Sequence, residues 1–116
     1  MAMSRGEGGG VSVVMPTNAE LGVTIRRLRR ARHLTIEGLA HDAGMHPTYL
    51  SGIERGVRNP SWEKVTGLCL AMDVPIIELA RDAEDEARLA ARMRVARSEL
   101  GLDDRTERSD RSDRPE

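Results

Sequence analysis

Two short apolar stripes on either side of a glycine turn constrain what this chain can fold into. The first stripe runs from Ile36 to Ala43 with helical spacing, Gly44 follows it, and Leu50 and Ile53 belong to the second. Helices of about eight or nine residues are too short to be stable alone in water. Neighbouring elements must therefore hold both of them. A short helix pair joined by a turn of about three to four residues and braced by other helices is the layout of a helix-turn-helix domain.

Residues that start and stop helices divide the chain at matching places. Gly44 and Gly56 follow apolar stripes, where a helix end favours a left-handed residue. Thr35 and Ser61 are good N-caps, and Pro75 suits the opening of the last helix. These signals predict an all-α chain of five helices, at about residues 19–32, 35–43, 46–55, 61–72 and 75–99.

The two ends of the chain differ in composition from its middle. Residues 1–17 include four glycines and are expected to be a flexible arm, unless residues 11–14 form a short β pairing or Met15 is the true start. Ten of the sixteen residues in 101–116 are charged, which predicts a disordered tail. We therefore expect a helix-turn-helix domain at 18–80 and a helical extension at 81–100.

Composition excludes several classes of protein. Tyr49 and Trp62 are the only aromatic residues among 116, too few for a module that stacks bases on rings. Cys69 is the only cysteine, which excludes an intrachain disulfide and fits a reducing compartment. No apolar run approaches the ~18 residues of a membrane span. The net charge of −1 is too small to indicate either a nucleic-acid or a membrane partner. We expect a small cytoplasmic protein.

The residues that could carry metal binding or catalysis are not arranged for it. His33, His41, His46 and Cys69 lack the paired spacing of zinc ligands. The sequence shows no nucleophile beside a base and no glycine-rich phosphate loop after a strand. We expect no metal, no cofactor and no enzymatic activity.

A longer pattern in the middle of the chain resembles the Xre/Cro family of helix-turn-helix regulators. The matching residues are Leu28-Arg29, Leu34-Thr35, Glu37, Leu39-Ala40, Ala43-Gly44, Tyr49-Leu50-Ser51, Ile53-Glu54-Arg55-Gly56, Arg58-Asn59-Pro60 and Ala71. The resemblance covers about residues 21–80. It implies a five-helix, lambda-repressor-like domain that binds double-stranded DNA as a homodimer on palindromic operators. The third helix, at about residues 46–55, would enter the major groove.

The chain departs from the family's pattern at two positions. Ile36 stands where the family usually has a glutamine that bonds a phosphate, so it either packs inward or loses that contact. Gly52 stands where many relatives place a base-reading side chain. A glycine there permits close approach of the backbone but reads no base itself.

The resemblance also nominates DNA-binding residues. Side chains near the start of the third helix reach base edges, and those of the following loop hold phosphates. We expect Thr48 to read a base, and Arg55 and Arg58 to hold phosphates. His46 is either a base contact or an N-cap, and Tyr49 either contacts DNA or packs over the helix pair. The full set is His46, Pro47, Thr48, Tyr49, Ser51, Gly52, Arg55, Arg58, Asn59 and Ser61.

The first predicted helix ends in an arginine-rich run, at positions 26, 27, 29, 30 and 32. Such a run either attracts phosphates or forms a solvated surface stripe, and since successive residues are spread around a helix, we expect at most one or two of these arginines to face DNA. The resemblance implies that Arg29 instead pairs with Glu54 and fixes the angle of the third helix.

Two questions stay open at the level of sequence. Alanines at 80, 83, 87 and 90 either seat a helix of a second copy or cover the domain's own core. An antitoxin or a restriction-modification controller would use the same domain as a general regulator. A helix-turn-helix fold used for protein–protein interaction is a third alternative, with Ile36 and Gly52 as signs of lost DNA reading.

Overall fold

Five helices and no strands make up the described part of the chain, residues 13–102 of a computed structural model. The helices are α1 (Asn18–Ala31), α2 (Ile36–Asp42), α3 (Pro47–Glu54), α4 (Trp62–Met72) and α5 (Ile76–Glu99). Each predicted helix is present, with ends within one residue of the prediction, so the all-α prediction is confirmed. Residues 1–12 and 103–116, which hold most of the predicted arm and tail, lie outside the described residues.

Side-chain caps set the starts of α2 and α4 as predicted. Thr35 Oγ1 accepts a hydrogen bond from the backbone N–H of Gly38 at 2.9 Å. Ser61 Oγ accepts one from the N–H of Lys64 at 3.2 Å. Gly44 adopts the predicted left-handed conformation after α2, with φ of +71°. Local hydrogen bonds thus fix where α2 and α4 begin, and Gly44 fixes how the chain leaves α2.

The start of α1 carries a reciprocal cap that the sequence analysis missed. Thr17 Oγ1 accepts from the N–H of Ala19 at 3.2 Å, and Glu20 Oε1 accepts from the N–H of Thr17 at 2.7 Å. The Thr17 hydroxyl also donates to Glu20 and lowers the pKa of that carboxyl. The signal, a threonine three residues before a glutamate, was present in the sequence.

The core lies between α1, α2, α3 and α4, and its fully buried side chains include Ile25, Leu39, Leu50, Ile53 and Leu68. The fifth helix closes this core by packing chiefly on α1. Leu79, Ala83 and Ala87 are buried there, and Arg27 on α1 forms an ion pair with Glu86. Packing against α1 thus continues past residue 80, into the predicted helical extension at 81–100. Ala83 and Ala87 cover the chain's own core.

A glycine lets α1 approach the end of α3 backbone to backbone. A Cβ atom at Gly22 would lie 2.3 Å from the carbonyl oxygen of Ile53 and 2.5 Å from that of Glu54. Backbone atoms at the end of a packed helix cannot move aside as a flexible side chain can. Only glycine fits at this crossing, which sets how closely α3 is held to α1.

Replacing Gly22 by alanine should therefore force α1 and α3 apart. We expect Gly22→Ala to lower the free energy of unfolding by about 1–3 kcal/mol, the usual cost of overpacking. Gly67→Ala is the matched control, because a Cβ there would meet its nearest atom, the Ala43 carbonyl oxygen, at an ordinary 3.9 Å. The control should be neutral or more stable, since alanine is the better helix former. Urea denaturation measures both, and a Gly22→Ala protein as stable as wild type would contradict the close crossing.

Candidate nucleic-acid interface

The third helix starts at a histidine cap. His46 Nδ1 accepts a hydrogen bond from the backbone N–H of Thr48 at 3.1 Å, and Pro47 occupies the first turn. The structure thereby supports the N-cap alternative for His46. Because Nδ1 acts as the acceptor, the neutral ring carries its proton on Nε2. His46 is exposed, so that N–H remains available to a ligand.

The two sides of α3 differ in chemistry. Leu50, Ile53 and Glu54 are buried against the rest of the domain. Thr48 and Arg55 are exposed on the other side. This helix of eight residues thus packs one side against the core and leaves a polar side exposed, as a helix that reads a DNA groove requires.

A buried ion pair joins α3 to α1. Arg29 Nε donates to Glu54 Oε2 at 2.7 Å, and Nη2 donates to Oε1 at 3.0 Å, so the pair is bidentate. The third nitrogen, Nη1, donates to the carbonyl oxygen of Leu34 at 2.8 Å. Only 9% of the Arg29 side chain and 4% of the Glu54 side chain is exposed. The hydrogen bond to Glu54 raises the pKa of the guanidinium. The pair implied by the sequence resemblance is thus present.

The loop between α3 and α4 presents exposed polar residues beside that helix. Gly56 turns the chain with φ of +78°, and the N–H of Val57 donates to the carbonyl of Gly52 at 2.9 Å. Arg58 and Asn59 follow, and both are exposed. Ser61 is also exposed, but its hydroxyl oxygen is engaged as the cap of α4. The hydrogen bond from Val57 to Gly52 thus holds the start of this loop against α3.

Gly52 is covered by a side chain from the loop that follows α3. It is buried, and a Cβ at this position would lie 2.6 Å from Cγ of Arg58. The guanidinium carbon of Arg58 lies 5.7 Å from the centroid of the Tyr49 ring. Lys64, which the sequence analysis did not single out, places Nζ 5.9 Å from the same ring. Tyr49 itself is half-buried and packs on the core.

Several arginines of α1 have structural partners inside the domain. Arg27 pairs with Glu86 and Arg29 with Glu54. Arg32 Nε donates to the carbonyl of Met72 at the end of α4, at 2.7 Å. These three side chains therefore join α1 and its C-terminal end to α5, α3 and α4. Arg26 and Arg30, by contrast, are exposed and have no ion-pair partner within residues 13–102.

Comparison with known proteins identifies this arrangement. The family model described as a helix-turn-helix domain matches residues 20–81, more than half of the chain. The chain belongs to the helix-turn-helix domain family. The resemblance and the fold expected from the sequence are thus confirmed.

Relatives of the helix-turn-helix domain include regulators from two bacteria. The chain is 32% identical over 78 residues to the transcriptional regulator ClgR of Mycobacterium tuberculosis, covering 67% of this chain and 68% of that one. It is 35% identical over 65 residues to the uncharacterized HTH-type transcriptional regulator y4dJ of Sinorhizobium fredii, covering 56% and 84%.

Solved structures show the same arrangement of helices. The clp gene regulator ClgR from Corynebacterium glutamicum aligns with a TM-score of 0.64 at 29% identity, over 70% of this chain and 87% of that one. The restriction-modification controller protein C.AhdI from Aeromonas hydrophila aligns with a TM-score of 0.53 at 37% identity, over 53% and 94%.

Three further observations complete the description of the helix-turn-helix domain. Ile36, at the start of α2, is half-buried and packs against the core, which is the inward alternative left open by the sequence. Within residues 13–102, no three histidine, cysteine or acidic side chains come together as metal ligands would. None of the helices described is long and apolar enough to cross a membrane.

A double-mutant cycle measures the ion pair that anchors α3. Arg29→Ala and Glu54→Ala should each lower the free energy of unfolding by about 3–5 kcal/mol, because each leaves a buried charge without its partner. The double variant should lose less than the sum of the two. The exposed pair of Arg88 and Glu84 on α5 is the matched control and should couple by under about 1 kcal/mol. Strict additivity at Arg29 and Glu54 would contradict the pairing.

Proposed function

We propose that the chain regulates transcription by binding a specific operator as a homodimer, with α3 in the major groove of each half-site. As a member of the helix-turn-helix family whose relatives are transcriptional regulators, it is a DNA-binding regulator. The single observation that carries the proposal is the amphipathic α3, clamped by Arg29 and Glu54 with its polar side exposed. We propose no enzymatic activity, and a cytoplasmic location follows from DNA as the partner.

The residues around α3 divide into two chemical roles. Thr48, exposed in the first turn, is proposed to contact a base edge, where its hydroxyl can donate or accept and its methyl can meet thymine. The Nε2–H of His46 and the hydroxyl of Ser51 are further donors beside it. Arg55 and Asn59, both exposed, are proposed to bind phosphates. Pro47, Tyr49, Gly52, Arg58 and Ser61 complete the proposed DNA-binding surface.

A second candidate is a restriction-modification controller. It is favoured by the structural similarity at 37% identity to the controller C.AhdI. Both candidates require the same DNA-binding surface, so they differ in operon context and not in mechanism. A methyltransferase or endonuclease gene beside this one would favour the controller.

Selection of genomic fragments by the purified chain tests the proposal and supplies the operator. A DNA-binding regulator should enrich a few fragments that share a palindromic site, and a gel shift should show binding that weakens with salt. A chain that uses this fold only for protein–protein interaction would enrich none, which would overturn the proposal.

The end of α5 is the proposed contact between copies. Leu89, Met93, Ala96 and Leu100 recur at spacings of four, three and four, so they form one stripe along the helix. Met93 is 58% exposed and Leu100 is 70% exposed. The stripe lies on a different side of α5 from Ala83 and Ala87, which face α1. An apolar stripe with heptad-like spacing is the kind of surface that pairs with a copy of itself.

A comparison of two substitutions separates base reading from phosphate binding. Arg55→Ala should weaken binding to operator and to random DNA alike, and should reduce the salt slope by about 1. Thr48→Ala should leave that slope unchanged and weaken preference at one operator position by about 1–3 kcal/mol. Arg88→Ala removes an equal charge from α5, away from α3, and should change neither the salt slope nor the base preference. Equal losses on operator and random DNA for Thr48→Ala would mean that Thr48 touches the backbone.

Charge-neutral substitutions in the stripe test the dimer. Met93→Gln combined with Leu100→Gln should give a folded chain that sediments as a monomer and binds the operator less tightly. Substitutions are used and not a truncation of α5 after Glu78, because that truncation would remove the buried Leu79 and Ala83. Ile77→Gln, at a position on α5 that is 63% exposed and outside the stripe, is the control and should remain dimeric. An unchanged dimer in the double variant would place the interface elsewhere.

A further inference from the structure

The side chain of Arg58 lies where the third helix lacks a side chain of its own. Gly52 is four residues after Thr48, so both lie on the same side of α3. The three atoms nearest to a Cβ built on Gly52 all belong to Arg58: Cγ at 2.6 Å, Nε at 3.4 Å and Cδ at 3.6 Å. Any larger residue at 52 would occupy the space that Arg58 now fills.

Local contacts hold Arg58 in this place. The hydrogen bond from the N–H of Val57 to the carbonyl of Gly52 ties the loop to α3 immediately before Arg58. The guanidinium lies 5.7 Å from the centre of the Tyr49 ring, within range of a cation–π contact. Tyr49 is half-buried on the core, so the ring is a fixed platform. Arg58 as a whole is still exposed, which leaves its nitrogens able to reach a ligand.

The chemistry of a guanidinium at this place favours one base. An arginine donates parallel hydrogen bonds from two nitrogens of one planar group to O6 and N7 of guanine in the major groove, whereas lysine offers a single nitrogen on a flexible stem. We propose that Arg58 reads a guanine for α3, reaching the groove across Gly52. This inference rests on the proposed function, and it replaces the phosphate role that the sequence suggested for Arg58. A phosphate contact needs only the charge, whereas a base contact needs the seat formed by Gly52 and Tyr49.

Two substitutions that preserve the charge of Arg58 test the assignment. On the operator selected by the wild-type chain, each base pair is changed in turn and binding is measured at several salt concentrations. Arg58→Lys should abolish a preference of about 10- to 100-fold for one G·C pair, without changing the salt slope. Gly52→Ala leaves the arginine in the sequence but moves its side chain away from α3, so it should abolish the preference at the same pair.

The control is Gly67→Ala, which adds the same methyl group to α4, where it meets nothing closer than 3.9 Å. It should keep the wild-type preference at every pair. Thermal unfolding followed by circular dichroism checks that all three variants fold, because Gly52→Ala must move Cγ of Arg58 out of its present position. If either test variant is unfolded, Arg58→Gln is measured in its place. It removes the guanidinium and should also lose the preference at that G·C pair.

Three outcomes would overturn the assignment. Full preference retained by Arg58→Lys would show that the two-nitrogen fork of Arg58 does not read that pair. Loss of preference at different pairs in Arg58→Lys and Gly52→Ala would show that the two residues do not form one reading unit. A wild-type chain that selects no sequence would overturn the proposed function as well, and that result precedes any variant.

Discussion

The bidentate pair of Arg29 and Glu54 is the interaction on which the rest of the structure depends. The third helix has only eight residues and cannot persist without tertiary contacts. Its last residue, Glu54, is held by two nitrogens of Arg29, while the third nitrogen binds the carbonyl of Leu34 in the loop before α2. One guanidinium thus connects three segments with every nitrogen in use. Replacement of a buried pair by apolar residues is often neutral, so its value here is orientation more than net stability.

The helices were predictable because their signals are local. Apolar spacing, Thr35 and Ser61 as caps, and Gly44 as a left-handed residue each act within one turn of chain. The role of His46 was not decided by the same reasoning. A histidine before a proline can cap a helix or contact a base. Because both roles place a histidine at the same position, the residue type alone does not decide between them. The 3.1 Å bond from the N–H of Thr48 shows the capping role of Nδ1, and it leaves Nε2 free for a ligand.

The contacts that the sequence did not predict join residues across turns or across the fold. Arg32 donates to the carbonyl of Met72, forty residues away, and a carbonyl leaves no mark in a sequence. The meeting of Arg58 with Gly52 depends on the path of the loop between them, which residue types do not determine. The alanines of α5 were ambiguous for a related reason. Small residues allow close approach, but their spacing does not say whether α1 or another chain approaches.

The close crossing at Gly22 has a mechanical consequence. Because the α1 backbone lies against the last carbonyls of α3, no layer of side chains between the two helices can repack to change their spacing. Ala83, Ala87 and the Arg27–Glu86 pair fasten α5 to the same α1. Beyond Ala87, α5 continues to Glu99, about 18 Å further at 1.5 Å per residue. The end of α5 is therefore linked to α3 through α1, which both helices contact, so a contact made at that end bears on the helix that anchors α3.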